Sequence, residues 1–275
     1  MTTVTMRLGA DSVTIRTPQY RYIALLNMGL HYAKTTYGYS VWDDGLGYDY
    51  RTCKVSKWLL DSDECQALNA FLTTTSRGLP FTLDLGDTPS GFFPFGPDYG
   101  DCGEFTVQLI DFNLSGILFD PKKFFNASVE LRCIAHPTYT PADPIQQGNL
   151  RIGRVSGLPT PQVEVSPDCY ASTVTVSRRG GALSVIDLGV PADRSETKFE
   201  LALNTSNAAA LVAELQYIRA DDCSIVTPVN SYLFGVPGGG SGTYITKQLS
   251  PTLNITHQGC NRFSTALNCW LKGIS

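Results

Sequence analysis

The chain has 275 residues, 43% of them apolar, enough for one large or two modest globular domains. Charged residues make up only 17% and the formal net charge is −4, which argues against binding nucleic acid by phosphate neutralisation. No stretch is apolar for the length of a bilayer-spanning helix, and Met1–Leu8 lacks the apolar core of a signal peptide. The expectation is a soluble chain, not secreted by a classical route.

Val13-Thr14-Ile15-Arg16-Thr17 alternates like a strand, and Tyr20 to Leu26 follows as a second. Tyr48 to Trp58 is a long run of period two, rich in aromatic and β-branched residues, the pattern of a half-buried strand. Asp61-Ser62-Asp63-Glu64 then supplies an N-cap and acidic first-turn residues that favour the positive end of a helix dipole. Cys65, Leu68, Phe71 and Leu72 follow at helical spacing, and Gly78 and Pro80 stop the helix. A Gly-rich aromatic loop, Gly86 to Gly103, leads into strands at Glu104–Leu109 and Ser128–Ile134. Three prolines between Pro137 and Pro144 make a stiff, extended linker. Beyond it, Thr205 and Ser206 cap a second helix with an apolar stripe of Ala208, Leu211, Leu215 and Ile218. A second loop, Ser231 to Gly242, leads into strands at Thr243–Leu249 and Ser264–Leu271. Helices are predicted at about 62–75 and 206–219.

This order repeats. Ser40-Val41-Trp42-Asp43-Asp44-Gly45 returns as Ser184-Val185-Ile186-Asp187-Leu188-Gly189, an offset of 144 residues. Lys54 and Leu60 return as Lys198 and Leu203, and Ala67 to Leu72 as Ala210 to Leu215. Phe95-Gly96-Pro97 returns as Phe234-Gly235-Val236-Pro237, and Leu131-Arg132-Cys133 as Leu267-Asn268-Cys269, where the offset is 136. A slowly drifting offset in fixed order is the residue of duplication followed by small loop insertions and deletions. The period is domain-sized, so two similar domains are expected, at 1–140 and 146–275, and not a solenoid. The fold class read from this is mainly β: two tandem β-sandwich or split-barrel domains, each with one flanking α-helix.

The eight cysteines form no CxxC pair, so they lack zinc-ribbon spacing. They read as buried thiols acting as small apolar residues, with one or two disulfides left open. The three histidines are scattered. No HExxH, Walker-type loop or nucleophile elbow occurs. Gly238-Gly239-Gly240-Ser241-Gly242 lacks the Lys-Ser/Thr of a phosphate cradle, and Asp43, Asp44 and Asp49 read as turn residues beside glycines. The expectation is no enzyme, no cofactor and no metal site.

Gly47-Tyr48 before the first helix, Phe71 at its end, and Gly78-Leu79-Pro80-Phe81 beyond it resemble tail-tip proteins of tailed bacteriophages, including distal tail proteins and lambda-type minor tail proteins of the M class. The match covers about residues 40 to 134, and the second copy departs from it, having Val190-Pro191 after Gly189. The resemblance implies a tail-tube-type domain that closes into six-fold or pseudo-six-fold rings around a channel through which phage DNA passes without sequence-specific binding. It implies a virion protein, assembled in the bacterial cytoplasm, whose partners are itself and other tail tube and tail-tip proteins. A major tail tube protein is the nearest alternative. A carbohydrate-binding β-sandwich adhesin, using the aromatics near Phe92 to Phe95, is the alternative of a different class. On the ring reading the two aromatic loops are expected to reach neighbouring subunits through Phe92, Phe93, Phe95 and Tyr99 in the first and Tyr232 and Phe234 in the second.

Overall fold

A computed structural model describes residues 2–18, 22–35, 38–45, 49–118, 123–166, 173–177, 183–187, 196–227, 242–259 and 261–274. The chain is mainly β, with large antiparallel sheets and two helices. Its first half runs β1 (Thr3–Leu8), β2 (Asp11–Arg16), β3 (Tyr22–Asn27), β4 (Leu30–Thr35), β5 (Gly38–Asp43), β6 (Tyr50–Asp61), α1 (Ser62–Ala70), β7 (Phe81–Asp84), β8 (Glu104–Leu118) and β9 (Lys123–Ala135). The second half runs β10 (Leu150–Ile152), β11 (Val155–Leu158), β12 (Gln162–Ser166), β13 (Thr173–Ser177), β14 (Leu183–Asp187), β15 (Glu196–Asn204), α2 (Thr205–Ile218), β16 (Cys223–Thr227), β17 (Gly242–Gln248), β18 (Thr252–Gly259) and β19 (Arg262–Ile274).

Strands of the first half pair in the order β2-β1-β7-β8-β9-β6-β3, and strands of the second in the order β11-β10-β16-β17-β19-β15-β12. Each half also has a detached hairpin, β4–β5 or β13–β14. In the first half, one long strand, β8, runs beside β9 throughout. In the second, Leu249-Ser250-Pro251 splits the corresponding path into β17 and β18, both on the same edge of β19. Proline lacks the N–H that a continuing ladder needs.

The helices begin the same way. Each follows its strand without a loop, and the cap side chain accepts the backbone N–H three residues on: Asp61 from Glu64 at 3.0 Å, and Asn204 from Asn207 at 2.8 Å. Glu64 returns a bond to the Asp61 N–H, completing a capping box. The last residues before the caps pair alike, Leu60 opposite Phe125 and Leu203 opposite Phe263. Counting from these pairs sets Leu131 beside Cys269 in the two ladders. The sequence match of Cys133 with Cys269 is therefore displaced by two residues. A slip of two preserves the buried face of a strand, which is why the motifs still look alike.

α1 does not run on as a plain α-helix to residue 75. It widens into a π-helical turn, Phe71–Ser76, which turns Phe71, Leu72 and Ser76 all inward. Arg77 then takes a left-handed conformation with φ 44°, followed by Gly78 at φ 80°. Leu68 is fully covered. Leu68→Ala is expected to cost about 2–5 kcal/mol, as large-to-small core changes do. Tyr217→Ala, on the exposed outer face of α2, serves as the mild comparison in thermal melts. One contiguous apolar core runs from Val4 through to Leu271.

Candidate functional site: the joint between the two halves

The two halves share a sheet. Strand β3 pairs antiparallel with β18, setting Ile23 opposite Thr256, Ala24 opposite Ile255, Leu25 opposite Asn254 and Leu26 opposite Leu253. The ladder is extended by the Met28 N–H, which donates to the Pro251 carbonyl at 3.1 Å. Leu26, Leu253 and Ile255 are buried beneath it. Burying each such side chain contributes roughly 1.5–3 kcal/mol.

Two arginines lock the joint. Arg51 lies on the inward side of β6, with its side chain only 3% exposed. Its guanidinium grips both Asp98 oxygens at 2.6 Å and donates to the Phe95 carbonyl at 2.9 Å. It also crosses to the second half, donating to Gln216 Oε1 on α2 at 3.0 Å. Burial opposes its charge, but Asp98 more than restores it, so its pKa lies above the ordinary arginine value. Arg219 crosses the other way. It follows α2 with a positive φ of 48°. It donates to Asp49 at 2.6 Å and to the Met28 carbonyl at 2.7 Å, with Asp43 at 3.4 Å.

The aromatic loop fills the joint from the side. Phe92, Phe93 and Phe95 are buried to within 3% of their surface. Phe92 meets the Tyr22 ring edge-on at 4.8 Å, and the Phe93 N–H donates to the Tyr22 hydroxyl at 3.0 Å. Phe93 packs against Phe263 of the second half at 5.3 Å, and Phe95 against Phe105 at 5.4 Å. These rings are thus covered by the chain itself and are not offered to another subunit. Sequence reading expected these residues at a neighbouring chain; here Phe93 reaches this chain's own second half, and Phe92 and Phe95 pack within the first. The physical reason is that three phenylalanines on a glycine-rich backbone gain more by filling an apolar seam than by standing in water. Tyr99 is half-buried, stacked on His136 at 3.7 Å and under Arg51 at 3.8 Å. Tyr232 and Phe234 lie outside the described residues.

The β4–β5 hairpin completes the joint as an arm. Tyr39 packs on Trp270 of β19 at 5.8 Å, and Gly38 lies so close that a Cβ there would fall 2.1 Å from the indole. The linker runs over both halves. Tyr139 covers Gly100, and buried Asn207 of α2 exchanges hydrogen bonds with the Ile145 backbone at 2.8 and 2.9 Å.

No family model matches this chain, and no curated protein matches it.

Among the described residues no group of three or more His, Cys, Asp or Glu could hold a metal ion. Among the described residues no helix is long and apolar enough to cross a membrane. Among the described cysteines, Cys53, Cys65, Cys223 and Cys269 are buried, Cys102 and Cys133 half-buried, and all six are free thiols. Burial pushes Cys133 up to about 12 and Cys223 up to about 11, so they are not nucleophilic near neutral pH. Cys169 and Cys260 lie outside the described residues.

Sequence reading missed both arginines. Arg51 was marked by its parity, since it shares the inward side of β6 with Cys53 and Val55 before a bulge between Val55 and Trp58 shifts the phase. Arg219 carried no such signal.

His257 gives the joint a pH dependence. Its ring stacks on Tyr22 at 4.8 Å and meets Phe263 at 5.3 Å, and neither ring nitrogen has a hydrogen-bond partner. Burial holds its pKa below the ordinary 6.5. The unfolded chain therefore takes up this proton first as pH falls. Stability should be full above about pH 6.5 and decline as pH drops from there towards the folded-state pKa. Urea melts from pH 7.5 down to 5 check this, and His257→Phe should flatten that part of the profile.

Proposed function

We propose that this chain is a non-enzymatic structural protein of a tailed-phage virion, forming a ring at the tail tip as a distal tail or hub protein. In this reading its halves, 1–140 and 146–275, are two tandem tail-tube-type domains of β-sandwich or split-barrel form. The supporting observation is that two sets of strands with one pairing order lie in a single chain and are already joined edge to edge through β3 and β18. A fold that joins to its own copy by a sheet edge is suited to head-to-tail closure. Three chains would make one pseudo-six-fold ring, and six would make two stacked rings. Phage DNA passes through the lumen, and the partners are other tail tube and tail-tip proteins.

Negative-stain electron microscopy of the purified protein tests this. Rings with a central hole are expected, isolated compact particles would sink the reading, and long stacked tubes would favour a major tail tube protein instead.

A carbohydrate-binding role keeps one observation in its favour, though not the one first offered for it. Phe92 to Phe95 are buried, but an open cleft of about 570 Å³ beside the β4–β5 arm is lined by exposed Tyr32, Trp42 and Tyr50. His31 bonds Asp44 at 2.7 Å in the same cleft. Quenching or shifting of tryptophan fluorescence by oligosaccharides, lost in Trp42→Ala, would support that role.

A further inference from the structure

We infer that one chain joins the next by repeating its internal joint: β12 of one chain pairs antiparallel with the distal half of β8 in a second copy. This rests on the ring reading and specifies its contact.

The order of strand pairing assigns each part of the joint a counterpart. β12 occupies in the second half the position of β3 in the first, each flanking its helix-leading strand, β15 or β6. The distal half of β8 occupies the position of β18, each running beside the start of the last strand of its half. Yet β3 and β18 are paired, whereas β12 has only β15, and β8 beyond its pairing with β7 has only β9, among the described residues. These two open edges are therefore counterparts of the two that fit each other inside the chain.

Side chains on the open edge are consistent with a missing cover. Leu253 and Ile255 are buried where β3 covers them, while Phe112 and Leu114, at the matching places in β8, are only half-buried. Ile110, on the same strand, is 51% exposed. The arginine lock has a counterpart as well. Arg77, which like Arg219 follows its helix with a positive φ, is exposed. Among the described residues the β13–β14 hairpin pairs only with itself, as the β4–β5 arm does.

The internal joint fixes the register. Thr256 lies opposite Ile23 and Ile255 opposite Ala24. Carried through the ladders of β9, β19, β6 and β15, this sets Ser115 opposite Glu164 and Leu114 opposite Val165 of the next chain. Directly opposed antiparallel residues lie about 4.5–5.5 Å apart at Cα, within disulfide reach.

The test is a chain carrying both Ser115→Cys and Glu164→Cys, mildly oxidised and run on a non-reducing denaturing gel. Covalent oligomers that need both cysteines and vanish on reduction are expected, with each single variant remaining monomeric. The melting temperature of the monomer should hold. Rings by microscopy without crosslinks in the double variant would overturn this joint and leave the ring reading standing. Neither rings nor crosslinks would overturn both.

Discussion

Arg51→Ala is expected to lower the unfolding free energy by about 3–5 kcal/mol, the cost of removing one partner from a buried ion pair. The substitution strands Asp98, only 10% exposed, together with the Phe95 carbonyl and Gln216 Oε1. Arg51→Lys should recover little, because an ammonium cannot hold both Asp98 oxygens and reach Gln216 at once. The measurement is denaturant unfolding of Arg51→Ala, Asp98→Ala and the double variant. The double variant should be less damaged than the sum of the singles, because it leaves no unpaired buried charge. Additive losses would mean that the pair is not energetically coupled, whatever its geometry.

Phe93→Ala should cost about 3–5 kcal/mol, the range for emptying a buried aromatic site. The ring touches Phe263 across the joint, so the cavity opens between the halves and not within one. Unfolding should remain a single transition in the native chain, because one core spans both halves. In Phe93→Ala the halves should begin to separate, with fluorescence and circular dichroism transitions no longer coincident. A variant that melts within a degree of the parent would show that the loop is not a plug.

Local features were legible in the sequence because local chemistry determines them. Asp61 announced the first helix and the alternation up to Trp58 announced β6, while the second helix is capped by Asn204 and not by the Thr205 and Ser206 expected. The duplicated order of elements was legible too. What was not legible depends on distance. Nothing in Tyr22 to Asn27 says that this edge pairs with residues 252–256. Phe92-Phe93-Pro94-Phe95 between glycines reads equally as a surface contact or an inward plug, since burial is decided by what lies opposite. The π-helical turn at Phe71–Ser76 escaped notice because its residues keep the apolar stripe of an ordinary helix.

The pairing of Ile23 with Thr256 also has a consequence in time. These residues stand 233 positions apart. A ribosome adding 5–20 residues each second needs roughly 10–50 s to travel between them. Throughout that interval a completed first half would present β3 with an open ladder, next to other nascent chains in the same condition. The order of synthesis therefore makes the last strands of the chain the guardians of one of its first. A chain stalled before residue 252 should be the species most prone to aggregate.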